Sequence, residues 1–149
     1  MATRKEKDAC DFLDADHREV KAMFKEFEGL TDRSKIGKKK IADQICDALT
    51  LHTIIEEEIF YPAVREAIKD DDLMDEALVE HASAKELIAE IAGMEPGEEL
   101  YDAKVTVLSE QIDHHVSEEE GTMFPKVRKT NLDLVQLGEV MQARKDESS

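Results

Sequence analysis

His52-Thr53-Ile54-Ile55-Glu56-Glu57-Glu58-Ile59-Phe60-Tyr61-Pro62-Ala63-Val64-Arg65 is said nearly twice in this chain. The second statement, His115-Val116-Ser117-Glu118-Glu119-Glu120-Gly121-Thr122-Met123-Phe124-Pro125-Lys126-Val127-Arg128, follows 63 residues later. In both copies a Glu stands four residues after the His, a Pro ten after it and an Arg thirteen after it. Repetition of this length marks a duplicated structural unit. Each copy is also preceded by a solitary His, His17 before the first and His81 before the second, at separations of 35 and 34 residues. Helix positions i and i+4 share a face, so His52 points with Glu56 and His115 with Glu119. Two ligand-type side chains per helix, twice over, is a metal-site pattern.

Working outward, the apolar residues Leu13, Val20, Phe24 and Phe27 recur at helical spacing with His17 inside their stripe, which predicts a first helix over Asp8–Gly29. Thr31, Asp32 and Ser34 supply a turn and a helix cap. A second helix carries Ile41, Ile45, Leu49, His52, Glu56 and Ile59 on one face. A carboxylate on that buried stripe costs several kcal/mol unless it has a cationic partner, so Glu56 demands one. Pro62 is expected to kink or briefly break this helix, which resumes to Ile68. After the polar turn Lys69–Asp72, a third helix places Met74, Leu78, His81, Leu87, Ile88 and Ile91 inward, and Gly93 with Glu95-Pro96-Gly97 ends it. The fourth carries Val105, Leu108, Ile112, His115, Glu119 and Met123. Asn131 is read as the cap of a last amphipathic piece, with the tail Lys145–Ser149 frayed.

The resulting expectation is an all-α, up-down-up-down four-helix bundle over about 8–129 with a short C-terminal helix over about 131–145, all within a single domain spanning 1–149. At about 1.5 Å per residue, the climb from His17 to the first connection and the return to His52 are each roughly 20 to 25 Å. The two histidines come back to one level, and the same holds from His81 to His115. Six ligands, His17, His52, Glu56, His81, His115 and Glu119, therefore converge in the middle. Four imidazoles and two carboxylates exceed one tetrahedral zinc and suit a pair of ions; they favour iron, with manganese and zinc as competitors between which the donor set alone does not choose.

A net charge of −16 and a pI near 4.6 disfavour phosphate backbones and anionic membrane surfaces. Neither nucleic acid nor membrane is an expected partner, and no protein partner is indicated. The charged N-terminus has no apolar signal core behind it, which points to the cytoplasm. Cys10 and Cys46 fit no metal or redox spacing and read as reduced, half-buried residues. Glu57, Glu58, Glu118 and Glu120 read as solvated charges, with the alternative that one supports a ligand from behind or lies on an iron entry path. Asp14 reads as an unrelated exposed acid, with the alternative that it accepts the other ring N–H of His17. Lys38-Lys39-Lys40 reads as a solvated face, and Tyr61 and Tyr101 as packing residues. His114 is rotated about 100° from His115 and points toward a neighbouring helix face or solvent; the alternative register would put His114 and Glu118 in the places of His115 and Glu119.

The paired His, His-x-x-x-Glu units with their Tyr-Pro or Phe-Pro tails resemble the hemerythrin-like family, whose domain binds cations through such repeats. The resemblance covers about Asp11 to Arg128. It implies that the six residues hold a non-haem centre of two iron ions, Fe2+/Fe3+, with an oxo or hydroxo bridge. It also implies small-molecule partners: dioxygen, hydrogen peroxide or nitric oxide. Oxygen-carrying members have a fifth histidine one turn from that of the third helix, where this chain has Ala77 and Lys85. Their fourth helix supplies an Asp five residues after its His, whereas Glu119 stands four after His115. With one imidazole fewer, turnover of a catalase- or peroxidase-like oxidoreductase becomes more plausible than simple oxygen carriage. The competing expectation is an oxygen- or iron-sensing module without turnover. Ferritin-type chemistry is disfavoured because no Glu stands three residues before any of the five histidines.

Overall fold

Asp8 opens the first helix with a reciprocal cap. In the computed structural model, which describes residues 7–148, its carboxylate accepts the Asp11 N–H at 2.8 Å while Asp11 accepts the Asp8 N–H at 3.1 Å. Helix α1 (Ala9–Glu28) runs from this cap to Gly29. A short connection turns the chain back into α2 (Lys35–Ile55), which continues through a π-helical turn, Glu56–Phe60, into α3 (Tyr61–Ile68). Lys69 in the left-handed region (φ 52°) and the Asp70 cap then start α4 (Asp71–Ala92). The second half repeats the plan: α5 (Tyr101–Glu118), a π-turn at Glu119–Met123, and α6 (Phe124–Arg128). A last helix, α7 (Leu134–Glu147), packs against α1, α2 and the first π-turn. The described residues contain helices and no strand, as the periodicity requires. The segment 1–6 and Ser149, to which the expectations about the N-terminus and tail refer, lie outside the described residues.

The repeat's arginines have matching structural work. Arg65 reaches Asp71 (3.0 Å) and Asp75 (2.7 Å) in the first turns of α4, and Arg128 reaches Asp8 (2.6 Å) and Asp11 (3.4 Å) at the start of α1. Each copy thus ties the end of its long helix to the start of a helix that bears a solitary His.

Several expectations need correction. Neither proline breaks its helix. The Tyr61 N–H bonds to the Glu56 carbonyl and the Phe124 N–H to the Glu119 carbonyl, five residues back. Each wide turn hands over to an α segment with its Pro in the first turn, where a missing N–H leaves no ladder bond unfilled. Leu78 is 38 % exposed, and the small Ala77 and Ala84 flank His81 in the interior instead. Lys38 is buried, with its ammonium between Asp32 (3.2 Å) and Asp102 (3.1 Å) and 5.6 Å from the centre of the Phe27 ring. Asp133, not Asn131, caps α7 by accepting the Gln136 N–H at 3.0 Å. The helix continues to Glu147 because Arg144 and Lys145 are ion-paired rather than frayed. Cys10 and Cys46 are free and fully buried. Burial pushes their thiols up to about 12 and about 11.

The core divides in two. One cluster, including Leu13, Ile55, Phe60, Met74, Met123 and Met141, fills the end nearest α7. The other, including Val20, Phe24, Ile45, Leu49, Ile91 and Leu108, fills the opposite end. The buried His and Glu side chains form the layer between.

Two glycines test this packing from opposite sides. A Cβ on Gly138 in α7 would meet backbone atoms of Asp8 and Ala9 at 3.0 and 3.1 Å, whereas one on Gly121 in the second π-turn would meet nothing within 4 Å. Gly138→Ala is expected to destabilise the protein by about 1–3 kcal/mol. Gly121→Ala should stabilise it by roughly 0.4–1 kcal/mol, since the first copy already carries Glu58 at the matching position. Urea denaturation of both variants checks the signs.

Candidate metal centre

The six predicted ligand residues meet in the polar layer. Glu56 is 0 % exposed and Glu119 1 %, and the four histidines are all buried. The rings of His17 and His52, from the first hairpin, have centroids 5.0 Å apart, and those of His81 and His115, from the second, 4.8 Å apart. The carboxylates span the pairs. Glu56 Oε1 lies 3.1 Å from His52 Nε2 and 3.0 Å from His81 Nε2, while Glu119 lies 3.2 Å from His17 Nε2 and 3.3 Å from His115 Nε2. Two groups of donors result, each close enough to share an ion: His17, His52, Glu56 and Glu119, and Glu56, His81 and His115. His17 Nε2, His52 Nε2, Glu56 Oε2 and Glu119 Oε1 are buried without a well-angled hydrogen bond. Each such orphan costs about 1–3 kcal/mol. A cation would satisfy all four at once, so the donor set fits the metal that the spacing predicts.

Behind each imidazole stands a carboxylate. His17 Nδ1 donates to Glu120 (2.8 Å), His52 Nδ1 to Asp16 (3.2 Å), His81 Nδ1 to Glu57 (2.8 Å) and His115 Nδ1 to Glu80 (2.7 Å). Such bonds fix the tautomer and turn the Nε2 lone pair inward. Glu120 is exposed as expected and Glu57 is partly buried, and both also support an imidazole, as do Asp16 and Glu80, which the spacing did not single out. The signal was present: an acid directly precedes each solitary His, as Asp16-His17 and Glu80-His81, and another directly follows each ligand Glu. Asp14 is half-buried and is not the acceptor for His17; burial and the Glu120 charge push its carboxyl up. His114 is 67 % exposed and lies outside the centre, 3.4 Å from Glu80.

Tyr61 is the other correction. Its hydroxyl donates to Glu119 Oε2 at 2.5 Å and lies 3.2 Å from His81 Nε2 and 3.1 Å from His115 Nε2. The matching residue in the second copy is Phe124, whose ring stacks near that of His17 with centroids 6.3 Å apart. Comparing the repeats position by position reveals the difference, one hydroxyl at one end of the centre. Tyr101, by contrast, is a packing residue of the far cluster.

The electrostatics follow from burial against charge. Burial pulls the His52 imidazolium down, but the Glu56 carboxylate and the bond to Asp16 outweigh it and raise His52 to about 10. His115 is raised to about 12, with Glu119 outweighing burial. Burial pushes Glu56 up, and His52 leads the groups that hold it well below the usual range. His52 and His115 thus hold their protons more tightly than free imidazoles, and a cation entering beside them must displace protons. A cavity of about 20 Å³, room for one small molecule, adjoins the imidazoles and is walled by Val20, Leu49, Ala84, Ile112 and Val116.

Residues 8–127 match the family described as the hemerythrin HHE cation binding domain. A protein named DNA nickase from a Nostoc species is 31 % identical over 118 residues, covering 79 % of this chain and 33 % of that protein. The chain therefore spans about a third of that relative's length. A crystal structure of a hemerythrin HHE cation binding domain-containing protein from Mycobacterium kansasii superposes with a TM-score of 0.80. At 24 % identity, covering 95 % of this chain and 86 % of that one, it shows that the fold is shared.

In the metal-free protein the raised His52 carries a pH dependence. Its folded value of about 10 exceeds the ordinary 6.5, so its contribution to stability is complete below about pH 6.5 and is lost as pH rises through 10. Metal-free protein should lose melting temperature between pH 7 and 10, and His52→Gln should lose less over the same range. Parallel curves for the two would show that His52 is not charged in the metal-free fold.

Proposed function

The chain belongs to the hemerythrin HHE cation-binding family, and on that premise we propose that it is a non-haem di-iron protein acting on dioxygen, hydrogen peroxide or nitric oxide. The observation that supports this most is the pair of buried donor groups, His17, His52, Glu56 and Glu119 on one side and Glu56, His81 and His115 on the other, the first of which has four atoms without a hydrogen-bond partner. His17 and His52 would hold one ion and His81 and His115 the other, with Glu56 and Glu119 between them. Bound iron would supply the electrons for a small oxidant.

The chain's own residues do the rest. The four Nδ1 acceptors hold each imidazole in one tautomer and orientation. The cavity beside the imidazoles, walled largely by apolar side chains, has room for a molecule of diatomic size. Tyr61 holds a proton on its hydroxyl at the His81 and His115 end, and burial keeps that proton in place well above the usual range. No fifth imidazole stands there: Ala77 is buried and small, and Lys85 points outward to Glu57 at 2.8 Å. Reaction with turnover is thus favoured over reversible carriage.

Among the described residues no helix is long and apolar enough to cross a membrane. The nickase relative raises nucleic acid as a partner, but the net charge of −16 opposes a phosphate backbone, and our reading keeps small molecules as the partners.

Protein purified from iron-replete cells should contain two iron ions per chain, and Glu56→Gln and Glu119→Gln should each lose far more metal than Glu58→Gln or Glu118→Gln. Equal loss from all four, or two zinc ions in the parent, would overturn the assignment. Iron loading at a thousand times the dissociation constant should add about 4 kcal/mol of stability. Tyr61→Phe should keep its iron while peroxide consumption falls about a hundredfold, the low end for loss of a positioned proton donor. Stopped-flow mixing of the reduced protein with each oxidant measures this.

A further inference from the structure

The four carboxylates behind the imidazoles are held unequally from outside. The pseudo-twofold relation pairs Asp16, which supports His52, with Glu80, which supports His115. Beyond Glu80 there is His114, 3.4 Å away and 67 % exposed. Beyond Asp16 stands Lys145 of α7, a helix outside the family-matched residues 8–127. Lys145 Nζ lies 2.7 Å from Asp16 Oδ1, while His52 Nδ1 is 3.2 Å from Asp16 Oδ2. Both carboxylate oxygens are therefore gripped, and its plane cannot turn. The Lys145 ammonium is itself fixed, 5.7 Å from the centre of the Phe12 ring and 3.8 Å from Glu19. One residue earlier, Arg144 reaches Glu58 of the first π-turn at 3.4 Å.

We propose that α7 is a working part of the metal centre and that Lys145 is a positioning residue, acting through Asp16 to orient His52. The proposal rests on the metal reading above. The Asp16 side chain is only 12 % exposed. Without Lys145 it becomes a buried carboxylate lacking its cation, and the cost of that drives it to water. A route is at hand, a cavity of about 320 Å³ lined by Asp16, Glu19, Asp47, Leu51 and Lys145. Once Asp16 turns into it, His52 Nδ1 loses its acceptor. Nothing then fixes which ring nitrogen carries the proton, and Nε2 no longer presents a lone pair to the centre. Among the described residues the second hairpin has no counterpart of α7, so the effect falls on the His17 and His52 half alone.

The test compares the parent with Lys145→Met, Lys145→Arg and Lys85→Met, each in full-length protein. Outer partners of ligating histidines typically change metal affinity by about 10–100-fold. Lys145→Met should therefore release one of its two iron ions to a chelator about tenfold faster than the parent, with the other unchanged. Lys145→Arg should restore slow release, and Lys85→Met should act on the other half through Glu57 and His81. In the metal-free protein, the His52 Nδ1–H signal in a proton–nitrogen spectrum should be sharp in the parent and in Lys145→Arg. In Lys145→Met it should broaden through exchange with water. Unchanged release and an unchanged His52 signal in Lys145→Met would refute the proposal while leaving the metal centre standing. Equal acceleration of both ions, or no rescue by Arg, would reduce Lys145 to a general packing residue. A parent that binds no iron would sink both readings together.

Discussion

Two carboxylates sit at the middle of this bundle with no access to water, and the rest of the structure answers that constraint. Glu56 and Glu119 are essentially unexposed, and a lone buried carboxylate is among the costliest features a core can contain. Four imidazoles surround them, four further carboxylates surround the imidazoles, and Lys85, His114 and Lys145 extend three of those contacts to the surface. The layer divides the apolar core into two clusters, each of which packs on its own terms. Polar networks of this kind are stable only when nearly every member is satisfied. Four of the six buried side-chain atoms left unsatisfied among the described residues, on His17, His52, Glu56 and Glu119, belong to this layer.

The two π-turns are part of the same answer. Each begins at a buried Glu, Glu56 or Glu119, and ends just before the Tyr-Pro or Phe-Pro pair. The i→i+5 bond lets the helix pass the proline without breaking, and insertions of this type concentrate at functional sites. They also bring residue 61 or 124 over the centre. Because one copy has Tyr and the other Phe, a duplicated scaffold acquires two chemically different ends: a hydroxyl faces His81 and His115, and a phenyl ring faces His17.

Asymmetry enters a second time from outside the duplication. The C-terminal helix has a single copy and lies on one side only, against α1, α2 and the first π-turn. Its close approach at Gly138 and its two cations near Asp16 and Glu58 link it to the first hairpin. A centre built from a symmetric repeat is thereby set in asymmetric surroundings, which is how one site can treat its two halves differently.

The sequence by itself determined the all-helical architecture, the four bundle helices and the convergence of His17, His52, Glu56, His81, His115 and Glu119. Those features follow from spacing: a period of 3.6 residues, an i to i+4 pair repeated after 63 residues, and hairpin arms of equal length. Tertiary structure alone decided which carboxylate serves which imidazole. Asp16 supports His52 rather than its neighbour His17, because adjacent helix residues point about 100° apart and meet different partners. It also decided that Tyr61 turns into the centre, that Lys38 is buried between two acids, and that Leu78 yields its inward place to Ala77. A helical period places a residue on a face to within about a third of a turn. Where that face meets its neighbour depends on crossing geometry and on the local widening of a π-turn, and neither is written in the period.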